Sequence, residues 1–169
     1  MPVSIPNRPY SPMRLTSYTD YALRTLIYLG LHRDKLVTIQ DIADLHGISK
    51  NHLMKVVHQL GVTGMVDTVR GRNGGLRLKR EPADINLGVV VRNTETDFYM
   101  AECFDAANVG CAYSSSCALK GVLHAATAAY LAVLDRVSLA DLLPSVASTA
   151  PITVETVLKM YPRRPPTPA

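Results

Sequence analysis

Between residues 17 and 62, apolar side chains recur every three or four positions, the spacing of helices with one buried face. In SYTDYALRTLIYLGL, residues 17–31, Tyr21, Leu23, Leu26, Ile27 and Leu31 predict a first helix. Ser17, with Asp20 three residues on, has the pattern of a capping box at its start. A second, short helix is predicted from about Thr38 to Leu45. Ile39, Ile42, Ala43 and His46 share its apolar face, and Gly47, which tolerates positive φ, stands at its end. Ser49 occupies an N-cap position ahead of KNHLMKVVHQLG. There Leu53, Val56, Val57 and Leu60 form an inward i, i+3, i+4, i+7 stripe. Asn51, Lys55 and His58 fall on another side, and Gly61 is placed to stop the helix.

The period then changes to two. Met65, Asp67 and Val69 interleave with Val66 and Thr68, RGRNGG interrupts, and LRL resumes. Two such runs around Asn-Gly-Gly predict a hairpin. Two short helices across a tight Gly-containing turn make a helix-turn-helix, and a hairpin directly after it is a wing. Downstream, a helix is predicted over about Asn86–Glu95 and a long one from about Ala118 to Arg136. Ser138 and Asp141 have capping-box spacing for a last short helix, SLADLL. In the long helix Leu119, Val122, Leu123, Ala126, Tyr130, Val133 and Leu134, with Val137 beyond, make a heptad-like stripe. Such a stripe packs on its own domain or on the same helix of a second chain. The expected fold class is mainly α with a small β-hairpin wing: a winged helix-turn-helix followed by a long C-terminal dimerisation helix.

Proline placement sets the expected domain limits. Ten of the eleven prolines lie in residues 1–12 or 144–169. Those ends read as a disordered N-terminal extension and a flexible C-terminal tail. Between them, residues 13–80 form the DNA-binding winged helix-turn-helix, and residues 81–143 the thiol-bearing loop and dimerisation helix. With 47% hydrophobic residues the chain can bury a core without disulfide staples. No run of eighteen apolar residues and no secretory leader pattern is visible, so no membrane partner is expected and a cytoplasmic location is.

Charge gives the fold a direction. From Arg14 to Arg80 there are eleven Lys/Arg against five Asp/Glu; from Glu81 to Leu143, three against eight. A basic N-terminal half suits a polyanion partner, here double-stranded DNA. The second helix of a helix-turn-helix lies in the major groove with its N-terminal residues at base edges. The candidate DNA-binding residues are therefore Thr38, Gln40, Ser49, Lys50, Asn51, His52 and Lys55, with Arg70, Arg72, Asn73 and Gly74 on the wing. Asn pairs with adenine, Lys reaches phosphate or guanine, and wing arginines enter a minor groove or clamp phosphates. One recognition helix confers little specificity, so a two-fold homodimer on a palindromic operator is expected. No nucleotide-binding loop or catalytic triad is visible, and the chain is not expected to be an enzyme.

All three cysteines fall within CFDAANVGCAYSSSC, residues 103–117. A disulfide would strand one sulfur, in a compartment that reduces disulfides. Structural zinc usually shows paired C-x-x-C knuckles, whereas the gaps here are seven and five residues. Wide gaps suit thiolates at separated corners of an iron–sulfur cluster. Zinc and redox-active free thiols remain the alternatives.

MRLTSYTDYALRTLIYLG, GISKNHLMKVV, VRGRNGGLRL and the thiol triplet followed by a long helix and SLADLL resemble the Rrf-type winged-helix regulators. This bacterial family includes iron–sulfur repressors, and the resemblance covers about residues 13–143. LTSYTDYALR and SKNHLMKVV resemble its nitric-oxide-sensitive branch most. The resemblance implies a homodimeric repressor with one cluster per subunit, [4Fe–4S] with [2Fe–2S] as the alternative. It places the cluster on Cys103, Cys111 and Cys117, with Asp20 from the other subunit as fourth ligand; His124, seven residues after Cys117 in the sequence, is the competing candidate. It also implies nitric oxide as the signal that releases the operator. The alternatives are an iron-responsive or iron–sulfur-status regulator of the same family, or a cluster-free thiol-sensing winged-helix regulator.

Overall fold

The computed structural model describes residues 14–105 and 117–143. Both expected tails and Cys111 lie outside the described residues. Three helices open the fold: α1 (Ser17–Leu31), α2 (Ile39–His46) and α3 (Lys50–Val62). A hairpin follows, β1 (Val66–Val69) with β2 (Gly75–Leu78), then α4 (Leu87–Thr94), α5 (Ala118–Leu134) and α6 (Leu139–Leu142). This is the mainly helical, winged arrangement that the periodicity predicts.

The helix ends follow from side chains that occupy otherwise unpaired backbone groups. At α1 the cap is Thr16, whose hydroxyl accepts from the Thr19 amide at 3.3 Å. This corrects the Ser17–Asp20 box: Asp20 sits one residue too far along and pairs with Arg24 instead, at 2.9 Å. At α2 a full capping box forms. The Thr38 hydroxyl accepts from the Asp41 amide (3.1 Å), and the Asp41 carboxylate accepts from the Thr38 amide (2.8 Å). Those hydrogen bonds hold the Asp41 carboxyl below the usual carboxylate range. Gly47 ends α2 in the left-handed region at φ 62°. Ser49 takes the N-cap position of α3 without a side-chain hydrogen bond. The helix does not stop at Gly61; it runs to Val62, and Gly64 makes the turn at φ 69°. Thr63 holds that end, its hydroxyl donating to the Gln59 and Leu60 carbonyls at 3.1 Å each.

One core joins all of these elements except α5. Leu26 and Leu29 of α1, Ile42 of α2, Leu53, Val56 and Leu60 of α3, Val66 and Leu76 of the hairpin, Val90 of α4 and Leu139 of α6 belong to it. Burying each such aliphatic side chain contributes about 1.5–3 kcal/mol. The buried face of α1 lies one step round from the expected stripe. Thr19, Ala22, Thr25, Leu26 and Leu29 point inward, and Leu31 is half exposed. Two threonines on that face disguise it from any count of apolar residues.

The hairpin pairs antiparallel, with Val66 opposite Leu78 and Val69 opposite Gly75. It is fastened to the chain between α1 and α2 by a bridge in which Val37 and Leu76 exchange amide hydrogen bonds of 3.0 and 2.7 Å. A Cβ on Gly75 would come within 2.9 Å of the Val37 carbonyl oxygen, so this approach needs glycine. Gly71, at φ 113°, provides the turn of the wing tip.

α5 is held at its C-terminal end. Asn86 Nδ2 donates to the Asp135 carbonyl at 2.6 Å, and the Leu87 amide donates to Val137 O at 2.9 Å. Arg92 grips the Asp135 carboxylate through both terminal nitrogens and lowers its pKa. Gly88 lies directly beneath; a Cβ there would collide with that carboxylate. Along α5 itself no residue is fully buried, and Leu119 and Val122 are 62% and 65% exposed. Among the described residues, the side of this helix that carries Leu119 and Val122 is left exposed. Among the described residues no helix is long and apolar enough to cross a membrane.

Candidate DNA interface and metal-ligand positions

The inward stripe of α3 fixes what its other side presents. With Leu53, Val56, Val57 and Leu60 buried, Lys50, Asn51, His52, Met54, Lys55 and His58 face solvent. The side chains of Lys50, Asn51 and Lys55 form no hydrogen bond or ion pair with other described residues. They are free to meet an external partner. Thr38, Gln40 and Ser49 are exposed as well, but the first two have internal duties: Thr38 caps α2, and Gln40 donates to Asp44 at 2.7 Å. Met54 is absent from the sequence-derived candidates. Its 46% exposure among polar neighbours makes it an apolar point on a wet face.

The wing separates its arginines by role. Arg70, Arg72 and Asn73 are exposed at the tip, beside half-buried Gly74. Arg77 is turned onto Asp67 (2.9 and 3.1 Å) across the two strands. Arg80 reaches back to the Gly64 and Thr63 carbonyls (3.1 and 3.4 Å). Position in the sequence does not distinguish these residues; cross-strand pairing does.

The start of α1 leans on α3. The Tyr18 hydroxyl donates to the Lys55 carbonyl at 3.1 Å, and burial pushes its phenol above the usual pKa. The Tyr21 ring stacks near His52, with centroids 6.4 Å apart and planes 29° apart. From the C-terminal end of α4, Glu95 accepts from the Thr16 amide (2.9 Å) and hydroxyl (3.1 Å). These partners are 37 and 79 residues away in the chain, so no local pattern announces them.

Asp20 lies on this same stretch, half exposed, with Arg24 as its ion-pair partner. Cys103 sits in a short 3-10 turn, Glu102–Phe104, and Cys117 caps the N-terminus of α5. Both are free and partly accessible. The Cys117 sulfur accepts from the Lys120 amide at 3.4 Å. Lys120 also lies over the Phe104 ring, 5.9 Å from its centroid, which brings the two thiol-bearing segments together. His124 is exposed on α5. Among the described residues no three His, Cys, Asp or Glu side chains converge on one point. The donor chemistry fits a soft-metal group: two unpaired sulfurs on adjoining segments, with a third just outside the described residues.

A family profile described as Rrf2, iron-dependent transcriptional regulator, matches residues 15–145. The helix-turn-helix-type transcriptional regulator NsrR of Bacillus subtilis is 56% identical over 131 residues, 77% of this chain and 90% of that one. Protein aau3 of Rhizobium meliloti is 44% identical over 130 residues, covering 77% and 84%. Among solved structures, T. potens IscR superposes with a TM-score of 0.62 at 26% identity, covering 77% of this chain and 85% of that one. The cysteine regulator CymR of B. subtilis has a TM-score of 0.61 at 24% identity, covering 78% and 96%, a likeness of fold.

Proposed function

The chain belongs to the Rrf2 family of transcriptional regulators and is not an enzyme; from that premise we propose that it is a homodimeric repressor that binds a palindromic operator and releases it in response to nitric oxide. In this reading residues 13–80 form the DNA-binding unit and residues 81–143 the sensing and dimerisation unit. Lys50, Asn51, His52 and Lys55 read the major groove. Thr38, Gln40 and Ser49 contact the backbone, and Arg70, Arg72, Asn73 and Gly74 engage the adjacent groove or its phosphates.

Cys103, Cys111 and Cys117 hold an iron–sulfur cluster, [4Fe–4S] in preference to [2Fe–2S], and Asp20 of the other subunit completes the ligand set. When bound, the cluster supplies iron that reacts with nitric oxide, most readily where a hard carboxylate oxygen binds it in place of sulfur. Asp20 is available for this role because its partner Arg24 is exposed. An exposed ion pair is worth about 0–1 kcal/mol, so giving it up costs little. With Asp20 engaged, the α1 helices of the two subunits are tied to the opposite thiols, and the spacing of the two recognition helices is set. When Asp20 is released, that spacing relaxes.

The observation that carries this reading is the pairing, in one chain, of an exposed basic face on α3 with free sulfurs on adjoining segments, one of them at the start of a helix with exposed apolar side chains. The test is an anaerobic preparation counted for iron and sulfide. It is then titrated with nitric oxide while affinity is followed on a duplex selected by the protein from random sequence. Stepwise loss of binding with the gas supports the proposal. Release that follows iron depletion alone favours the iron-responsive alternative. Release by peroxide from metal-free protein favours a thiol sensor.

A further inference from the structure

We propose that Tyr18 and Tyr21 link the state of Asp20 to the recognition helix, with the Tyr18 hydroxyl as a positioning group. This rests on Asp20 being a cluster ligand, as proposed above.

The three residues occupy four consecutive positions of α1. Asp20 is therefore only about 3 Å along the helix axis from Tyr18 and about 1.5 Å from Tyr21. A hydrogen-bonded helix has no slack over that length, so a force on the Asp20 carboxylate acts on both tyrosines. Both are already attached to α3, and to its N-terminal half. Tyr18 donates to the Lys55 carbonyl at 3.1 Å, and the Tyr21 ring lies against His52. Lys55 and His52 belong to the face proposed to meet DNA. The Asp20 carboxylate itself turns to Arg24 and makes no bond to α3. The tyrosines are the polar and aromatic contacts through which this turn of α1 reaches the recognition helix.

The arrangement has two sides. On one, Glu95 fixes the α1 cap through Thr16. On the other, the tyrosines hold α3. Moving the Asp20 turn against its Glu95 anchor therefore shifts the α3 backbone at Lys55 and the ring at His52. A single neutral hydrogen bond such as Tyr18–Lys55 changes an equilibrium by about two- to tenfold. That is enough to tune a repressor and too little to unfold it.

Tyr18→Phe tests the proposal, because it keeps the ring and removes only the donor. Affinity for a duplex selected by the loaded wild-type protein is measured for cluster-loaded and cluster-free forms, beside iron content and thermal midpoint. Tyr18→Phe is expected to keep its iron and its cluster-free affinity and to lose only a few degrees of midpoint, while the loaded-to-free affinity ratio falls by about two- to tenfold. Adding Tyr21→Leu is expected to lower the ratio further. An unchanged ratio in both variants overturns the proposal, as does equal weakening of the two forms, which would make Tyr18 a merely structural prop. Loss of iron in Tyr18→Phe overturns it too, because the effect would then lie at the cluster. If the wild-type ratio is one, cluster control of DNA binding fails and this link with it, an outcome distinct from a normal wild-type ratio that Tyr18→Phe leaves intact.

Discussion

Thr38 shows how much one short side chain can decide. It caps α2, closes a reciprocal box with Asp41, and stands exposed where the helix-turn-helix would approach a phosphate. Thr38→Ala is expected to cost about 1 kcal/mol of stability in chemical denaturation, the usual loss on removing an N-cap. The wing arginines divide in the opposite way. Arg70→Ala and Arg72→Ala are each expected to leave the thermal midpoint in place and to reduce the slope of log affinity against log salt by about one. Arg77→Ala breaks the pair with Asp67 in the sheet and changes that slope less. A salt titration of the three variants distinguishes a residue that binds DNA from one that braces the strands.

Among the elements, α2, α3, the hairpin and α6 were legible from sequence because their causes are local. A capping box, an i, i+4 stripe, a glycine turn and a period of two all act within a few residues. Ser138, as expected, donates to Asp141 through both its amide (2.8 Å) and its hydroxyl (2.7 Å). α1 was read less well, because Thr19 and Thr25 are buried and no scale of hydrophobicity places them inside. Gly61 lies inside α3 although its sequence position suggests an end, because a glycine inside a helix and one beyond it are alike in sequence and it is Gly64 that holds the positive φ. Of the candidate site, the solvent-facing side of α3 is legible from the buried stripe opposite it. The Tyr18–Lys55, Thr16–Glu95 and Phe104–Lys120 contacts were not, since each depends on tertiary packing. The joint between α4 and α5 was equally hidden. Gly88→Ala there drives a methyl group into the Asp135–Arg92 pair, and a loss of about 1–3 kcal/mol is expected, the range for overpacking a filled site.

For the whole molecule, two responses follow from charge and exposed apolar surface. The carboxyls of Asp41, Glu81, Asp135 and Asp141 are all held below their usual pKa, by hydrogen bonds from Thr38, Arg33, Arg92 and Ser138 respectively. A group with a lowered folded-state pKa binds fewer protons folded than unfolded. Its contribution is full above the ordinary carboxylate value of about 4 and is lost as pH falls through the lowered values. The thermal midpoint is therefore expected to drop below about pH 4 and to lose that sensitivity in part when Arg92 is changed to Met. The bare face of α5 gives the second response. If two copies cover it, Leu119→Asp with Val122→Asp will shift the sedimenting species from dimer to monomer and weaken DNA binding with it.

The clamp at the C-terminal end of α5 has a mechanical consequence. Its foot is clamped by Asn86 and Arg92, while Cys117 rides at the opposite tip, about 25 Å away by helical rise. Like an oar in its rowlock, such a rod turns a pivot of about 5° into a sweep of about 2 Å at the blade. A second copy seated on its exposed side would thereby steer the sulfur at its end, so that assembly of the protein and the reach of that thiol would be one adjustment.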